Sequence, residues 1–306
     1  MTQKQKKILK RNLIGYSFIL PNFIGYFLFI FLPVIFTFVL CVMKWDGSSA
    51  PMEFVGLQNF VKLFHDSSFI ISFKNTIYYA VFTVPLTMVA ALLIAILLNS
   101  KIKGIVIYRT AFFFPYVASL VAVGAVWNML FQPEFGPINE FLKWIGIANP
   151  PKWCASTDWA MSVIIIVSVW KYMGYYMVVY LAALQGISGD LYEAARVDGA
   201  NSIQIFFKIT LPYMLYVTTP YLIATFTGNV NNFNIIYLLS GGDPITDLSS
   251  TAGSTDLLVT WLYKLTVDKQ YYNIGAVIGI LTFIILAVGA LFTYRRSKSY
   301  KEEGGF

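Results

Sequence analysis

The sequence predicts an all-α polytopic membrane protein with six transmembrane helices. Three observations carry that reading. Only 12% of the 306 residues are charged and 58% are hydrophobic, whereas soluble domains run at about 25% charged. A soluble core of this length has no room for so many Phe, Tyr, Ile, Leu and Val side chains. Apolar runs of about 20 residues recur, the length a helix rising about 1.5 Å per residue needs to cross the hydrocarbon. Lys and Arg also gather in alternate connecting segments, as they do on the cytoplasmic side of membrane proteins.

The apolar runs cover residues 14–43, 76–98, 112–131, 160–184, 213–239 and 274–294. The first and fifth are long enough to tilt or to extend past the bilayer. Pro21, Pro33, Pro85 and Pro115 fall in or at the ends of runs, which a bundle tolerates because neighbours satisfy the freed carbonyls. The stretch 23–40 is nearly free of polar groups and suits a lipid-facing surface. The 1–13 tail holds Lys4, Lys6, Lys7, Lys10 and Arg11; the 99–110 loop holds Lys101, Lys103 and Arg109; the 295–306 tail holds Arg295, Arg296, Lys298 and Lys301. Both termini and the 185–212 loop are therefore expected in the cytoplasm of a cell-membrane protein, with a permease domain over 14–294. This distribution accounts for the net charge of +7. The opposite loops, 44–75, 132–159 and 240–270, are poorer in bases: the last sets Asp243, Asp247, Asp256 and Asp268 against Lys264 and Lys269. Their Phe60, Phe64, Phe69, Phe141 and Trp144 suit short amphipathic helices at the interface.

A basic head before an apolar run also describes a signal peptide, but this run is about twice too long and no small-x-small cleavage site follows. Leu40 stands where a lipidated Cys41 needs a small residue before it. With only Cys41 and Cys154, no disulfide framework is implied. The single histidine, His65, sits in an outer loop and reads as a surface residue.

The most polar interruption runs from Glu193-Ala194-Ala195-Arg196-Val197-Asp198-Gly199-Ala200 to Ile209-Thr210-Leu211-Pro212. Asp190 can cap a helix start, with Glu193 three residues on as in a capping box. Ala194 and Ala195 permit close approach to another surface. Gly199 ends or bends the helix, Phe206 and Phe207 give the second part an apolar face, and Pro212 marks entry to the next span. A short helix lying across the membrane surface follows.

Glu-Ala-Ala, three residues, Gly, nine residues and Ile-x-Leu-Pro resemble the coupling-loop signature of ABC importer permeases without a departure. The resemblance implies the type I importer permease fold, with a cytoplasmic coupling helix docking into a groove of the ATP-hydrolysing subunit. Glu193, Ala194, Ala195, Asp198, Gly199, Ala200, Ile209, Leu211 and Pro212 would be the coupling residues. A purely structural hairpin is the alternative.

Two further signals lie inside spans. Asn229, Asn231, Asn232 and Asn234 are costly at membrane depth unless they face protein or water. Asn229 and Asn232 are three apart, as are Asn231 and Asn234, a spacing that shares helix faces. Asn amides suit sugar hydroxyls, and Phe233 and Tyr237 can stack on a pyranose; interhelical hydrogen bonding is the alternative. The stretch from Thr225 to Pro244, with 255–259, resembles carbohydrate permeases of the maltose-transporter type, in which this span lines the sugar site. In the fourth span, Lys171 lies too deep to snorkel. It either faces a cavity with Ser168, Tyr172 and Tyr175 or pairs with a partner subunit. This Lys-Tyr version departs from the maltose permease itself, and the chain lacks the large outer-loop domain some maltose permeases insert.

No G-x-x-x-x-G-K-[ST] phosphate loop, metal cluster or catalytic triad occurs. The chain is therefore expected to be no enzyme and to bind no cofactor, with ATP and Mg used by a partner. The resemblance implies a second, related permease, two ATP-binding subunits and an extracytoplasmic sugar-binding protein, in membrane lipid and without nucleic acid. The solute expected is an oligosaccharide such as a maltodextrin-type glucan. Another small polar solute is the alternative, and a secondary transporter is disfavoured because every acidic residue falls outside the spans. A non-transport scaffold is disfavoured by the coupling signature.

Overall fold

The computed structural model describes residues 3–45, 47–48, 51–100, 103–245 and 249–296. Asp247, Lys101, Lys298 and Lys301 of the charge pattern lie outside the described residues. The chain divides into two compact units, 1–65 with 265–281 and 66–264 with 282–306.

In the first unit, α1 (Gln3–Tyr26), a π-helical stretch (Phe27–Phe31) and α2 (Leu32–Val42) form one helix of 40 residues. It begins at Gln3 rather than near Ile14, because Gln, Lys, Arg and Leu are good helix formers and nothing in the tail stops them. Its apolar side chains are exposed along nearly the whole length, Phe18 and Phe29 most of all. A two-residue hairpin follows, β1 (Met43–Lys44) antiparallel to β2 (Glu53–Phe54), then α3 (Gln58–His65). Buried Asn59 on α3 holds the turn: its amide donates to the Cys41 and Met43 carbonyls at 2.9 and 2.8 Å and accepts from Asn273 at 2.9 Å. Such an amide stabilises because both its ends are satisfied.

The second unit is a helical bundle. Asp66 caps α4 (Ser67–Leu98) through the Ser68 amide at 2.8 Å. Then come α5 (Ile105–Val117), α6 (Leu120–Leu130), α7 (Pro137–Trp144) and α8 (Ala160–Gln185). Beyond them are α9 (Gly189–Val197), α10 (Ser202–Ile205), a π turn (Phe206–Thr210), α11 (Leu211–Val230), α12 (Phe233–Leu239) and α13 (Leu258–Tyr263). The last helix, α14 (Tyr272–Arg296), runs through both units. The second unit's centre is α8 packed on α4 and α5. Small side chains let these backbones approach: Ala91 and Ala95 of α4 are fully buried, with Met177 and Leu184 of α8 in one apolar cluster. Tyr79, Val163, Ile164, Ile235 and Ile236 form another. Short α7 leaves Phe141 and Trp144 exposed and buries Asn139, the amphipathic character read from the sequence.

Among the described residues, four helices are long and apolar enough to cross a membrane: Gln3–Val42, Ser67–Leu98, Ala160–Gln185 and Tyr272–Leu291. A pair bent by 97°, Ile105–Val117 with Leu120–Leu130, makes up to five. The third run is thus not one straight span, and its bend falls at Ala118 and Ser119, beyond Pro115. The fifth run is interrupted too. Helix α11 stops at Val230, Asn231 and Asn232 stand between helices, and α12 restarts at Phe233. With Thr218, Thr219, Thr225, Thr227 and Asn229 in it, α11 is not among the four.

Candidate functional site

The interruption between α11 and α12 opens a cavity of about 270 Å³. It is walled by Thr87 of α4, Tyr172 and Tyr176 of α8, Ala224, Thr225, Gly228 and Asn229 of α11, Asn231 and Asn232 at the break, and Phe233 and Asn234 of α12. Of the residues read from the sequence, the cavity collects Asn229, Asn231, Asn232, Phe233 and Tyr172. Ser168, Lys171 and Tyr175 are not in its lining. No lining residue is charged. Although the helix breaks here, the expected pairs keep a common exposure: Asn229 and Asn232 are buried, while Asn231 and Asn234 are exposed.

Hydrogen bonding separates fixed groups from available ones. The Asn232 amide donates to the Tyr79 hydroxyl at 2.8 Å; that hydroxyl meets the Ser168 hydroxyl at 2.8 Å, which donates to the Ile164 carbonyl at 2.7 Å. Ser168 is thus fully buried inside a relay from Asn232 to α8. The Asn229 amide donates to the Thr225 carbonyl at 2.8 Å, and the Thr225 hydroxyl donates to Tyr176 at 2.6 Å. Two buried atoms in the wall have no protein partner, Asn229 Oδ1 and Thr87 Oγ1. Leaving a buried polar atom unpaired costs about 1–3 kcal/mol, and both of these lie on residues of the cavity wall. Phe233 stacks on Tyr237 at 4.9 Å, and both meet Tyr263. The pair therefore forms one aromatic block with Phe233 at the cavity, not two separate platforms.

Lys171 reaches the end of α5. Only 3% exposed, it donates from Nζ to the Pro115, Tyr116 and Ala118 carbonyls at 2.9, 3.3 and 3.0 Å. These are the carbonyls freed where α5 ends, and a lysine is a natural partner for them. Tyr116, on the same turn, stacks on Tyr175 at 4.8 Å and lies 6.3 Å from Tyr172. The sequence offered no sign of this arrangement, since the acceptors are backbone atoms. Thr87, Tyr176 and Gly228 are likewise lining residues with no distinguishing sequence pattern.

The polar loop folds into two capped pieces. Ser188, not Asp190, caps α9, accepting from the Asp190 amide at 3.3 Å. Glu193, Ala194 and Ala195 lie inside α9, and Glu193 is exposed rather than part of a cap. Beyond Asp198 the chain turns left-handed at Gly199, φ +78°. Gly199 N–H donates to the Arg196 carbonyl at 3.0 Å and Ala200 N–H to the Ala195 carbonyl at 2.9 Å, a Schellman ending that needs glycine. Asn201 and Gln204 then form a reciprocal capping box at the start of α10, both bonds 2.9 Å. Ile209 falls in the π turn, and Leu211 and Pro212 open α11. The Tyr192 and Thr210 hydroxyls, 3.2 Å apart, tie the two pieces together. Leu191, Val197, Ile203 and Phe207 remain exposed on this loop.

Residues 67–298 match the binding-protein-dependent transport system inner membrane component family. The chain belongs to that family. It is a multi-pass membrane permease. The galactooligosaccharide transport system permease GanP of Bacillus subtilis is 33% identical over 302 residues, 94% of this permease and 72% of GanP. The maltodextrin permease MdxF of the same organism is 32% identical over 306 residues, 94% of this permease and 70% of MdxF. A bacterial alginate ABC transporter, solved with an alginate pentasaccharide-bound periplasmic protein, has a chain that superposes with a TM-score of 0.81 at 26% identity, covering 96% of both chains.

Proposed function

We propose that this permease is one membrane subunit of an ATP-driven, binding-protein-dependent importer of oligosaccharides. The observation that carries the solute class is the uncharged Asn, Thr and Tyr wall at a helix break. Sugar hydroxyls both donate and accept, and Phe233 offers an aromatic edge at the same place. Relatives named for galactooligosaccharides and maltodextrins support this class. A neutral glucan of the maltodextrin type suits the wall better than an acidic chain, for which the cavity lining offers no cation.

In this reading, α11, its break and α12 complete a six-span topology with both termini and the 185–212 loop in the cytoplasm. A second related permease completes the cavity. Two ATP-binding subunits, holding ATP and Mg, receive α9 in a groove through Glu193, Gly199 and the exposed apolar side chains around them. Closure of the ATPase pair moves α9, rocks the bundle and opens the cavity outward to a docked sugar-binding protein; hydrolysis returns it inward.

Thermal-shift screening of the cognate binding protein against neutral and acidic oligosaccharides, followed by uptake into proteoliposomes holding the whole importer, tests this. Stabilisation and ATP-dependent uptake of a neutral oligosaccharide are expected. Response only to amino acids or ions would overturn the sugar reading, and response only to uronic-acid chains would overturn its neutral form.

A further inference from the structure

We propose that the cavity between the β1–β2 hairpin, α3 and the start of α14 holds the phosphate of an anionic membrane lipid, whose acyl chains lie along α2. The proposal is independent of the oligosaccharide reading.

The cavity encloses about 450 Å³ and is lined by Lys44, Trp45, Glu53, Lys62, Tyr271 and Asn273, among others. It lies wholly within the first unit. Its frame is fixed: β1 pairs with β2, and buried Asn59 joins the Cys41 and Met43 carbonyls to Asn273. Two lysines meet one carboxylate here. Lys44 lies 3.7 Å from Glu53, both side chains about two-thirds exposed, a pairing worth little in water. Lys62 enters none of the described ion pairs. The lining is therefore net positive and suits an anion.

The surroundings say which anion. Ile35, Phe36, Phe38 and Val39 of α2 are exposed, so a hydrocarbon-facing wall runs up to the basic cavity. Trp45 marks the boundary: its ring meets Phe36 at 6.0 Å and Tyr272 at 5.9 Å, and its indole N–H donates to the Ser48 carbonyl at 3.0 Å. Trp and Tyr are the side chains enriched at headgroup level. A lipid meets both the lysines and the apolar wall, whereas a free anion meets only the lysines. Lys44 also stands at the far end of a 40-residue helix from the basic tail, so the site serves the opposite leaflet. A phosphate there bridges β1 to α3 and ties the end of α2 to the bilayer surface.

Photolabelling of the assembled importer tests this. It is placed in phosphatidylcholine nanodiscs holding a minor share of a phosphatidylglycerol analogue with a diazirine near the headgroup end of one acyl chain. Labelled residues, mapped by mass spectrometry, should fall within 36–45 and 271–274. Lys62→Gln should lower that labelling about fivefold, as expected of a lysine at an anionic surface, and adding Lys44→Gln should lower it further. Glu53→Gln should raise it, and Lys62→Arg should leave it nearly unchanged. All three side chains are exposed, so co-purification of the ATP-binding subunits should survive each change. Equal labelling by a phosphatidylcholine analogue, or no loss in the lysine variants, would overturn the site. Suppression by millimolar inorganic phosphate would assign it to a free anion, and suppression by the docked binding protein to a protein contact; either overturns the lipid.

Discussion

Gly174 of α8 and the Phe112 carbonyl of α5 touch so closely that no side chain fits between them. The obstacle is backbone, so it cannot rotate away. Gly174→Ala should push the two helices apart and destabilise the detergent-solubilised permease by about 1–3 kcal/mol, as overpacking does. Thermal melting reads this directly, and an unchanged midpoint would show that α5 can slide freely on α8.

The coupling loop carries a sharper expectation. Gly199 has φ +78°, and proline locks φ near −65°, so Gly199→Pro must dismantle the Schellman ending. Glu193→Lys reverses an exposed charge without touching the fold. Both should abolish uptake and weaken co-purification of the ATP-binding subunits, while leaving membrane insertion intact. Normal uptake in either variant would remove the loop from the drive mechanism.

At the cavity, Asn229→Ala removes a buried acceptor that has no protein partner. Its loss should cost assembly little yet lower oligosaccharide uptake at least tenfold. Asn232→Ala should also impair transport more than assembly, because the Tyr79–Ser168 bond remains after the Asn232 bond is lost, and one such bond contributes about 1 kcal/mol. Complex yield and initial uptake rate, measured together, separate the two effects.

Asp256 is fully buried, bonded to Lys264 at 2.7 Å, the Gly253 amide at 2.8 Å and the Thr260 hydroxyl at 2.9 Å. Burial pushes its carboxyl above the ordinary value, against the pull of Lys264. Lys264→Met should therefore cost about 3–5 kcal/mol by stranding a buried charge. A carboxyl raised in the folded state favours the protonated form there, so stability falls as pH rises. The variant should melt closer to wild type at pH 5 than at pH 8; the reverse order would contradict the assignment.

The four long apolar helices were legible because bilayer thickness sets their length and composition sets their apolarity. The Gly199 ending was legible too, since a glycine after a short helix has few other uses. The break at Asn231 and Asn232 was not: the same asparagines suit the face of a continuous helix equally well, and only packing against Tyr79 selects the kinked form. Nor could the pattern of side chains reveal what Lys171 binds, because its three acceptors are main-chain oxygens. Pro115 read only as a tolerated proline, and the bend falls three residues later, where Lys171 supplies the donors. The cap expected of Asp190 falls to Ser188, whose position precedes the first turn.

The uncharged wall of the cavity has an electrical consequence. Carrying one elementary charge across a membrane takes about 2.3 kcal/mol per 100 mV, and neither a neutral sugar nor the residues that line this cavity bring such a charge. The field across the bilayer then does no work on the loaded site as it changes sides. For the neutral-sugar importer proposed above, depolarisation would do no electrical work on the solute or on this wall.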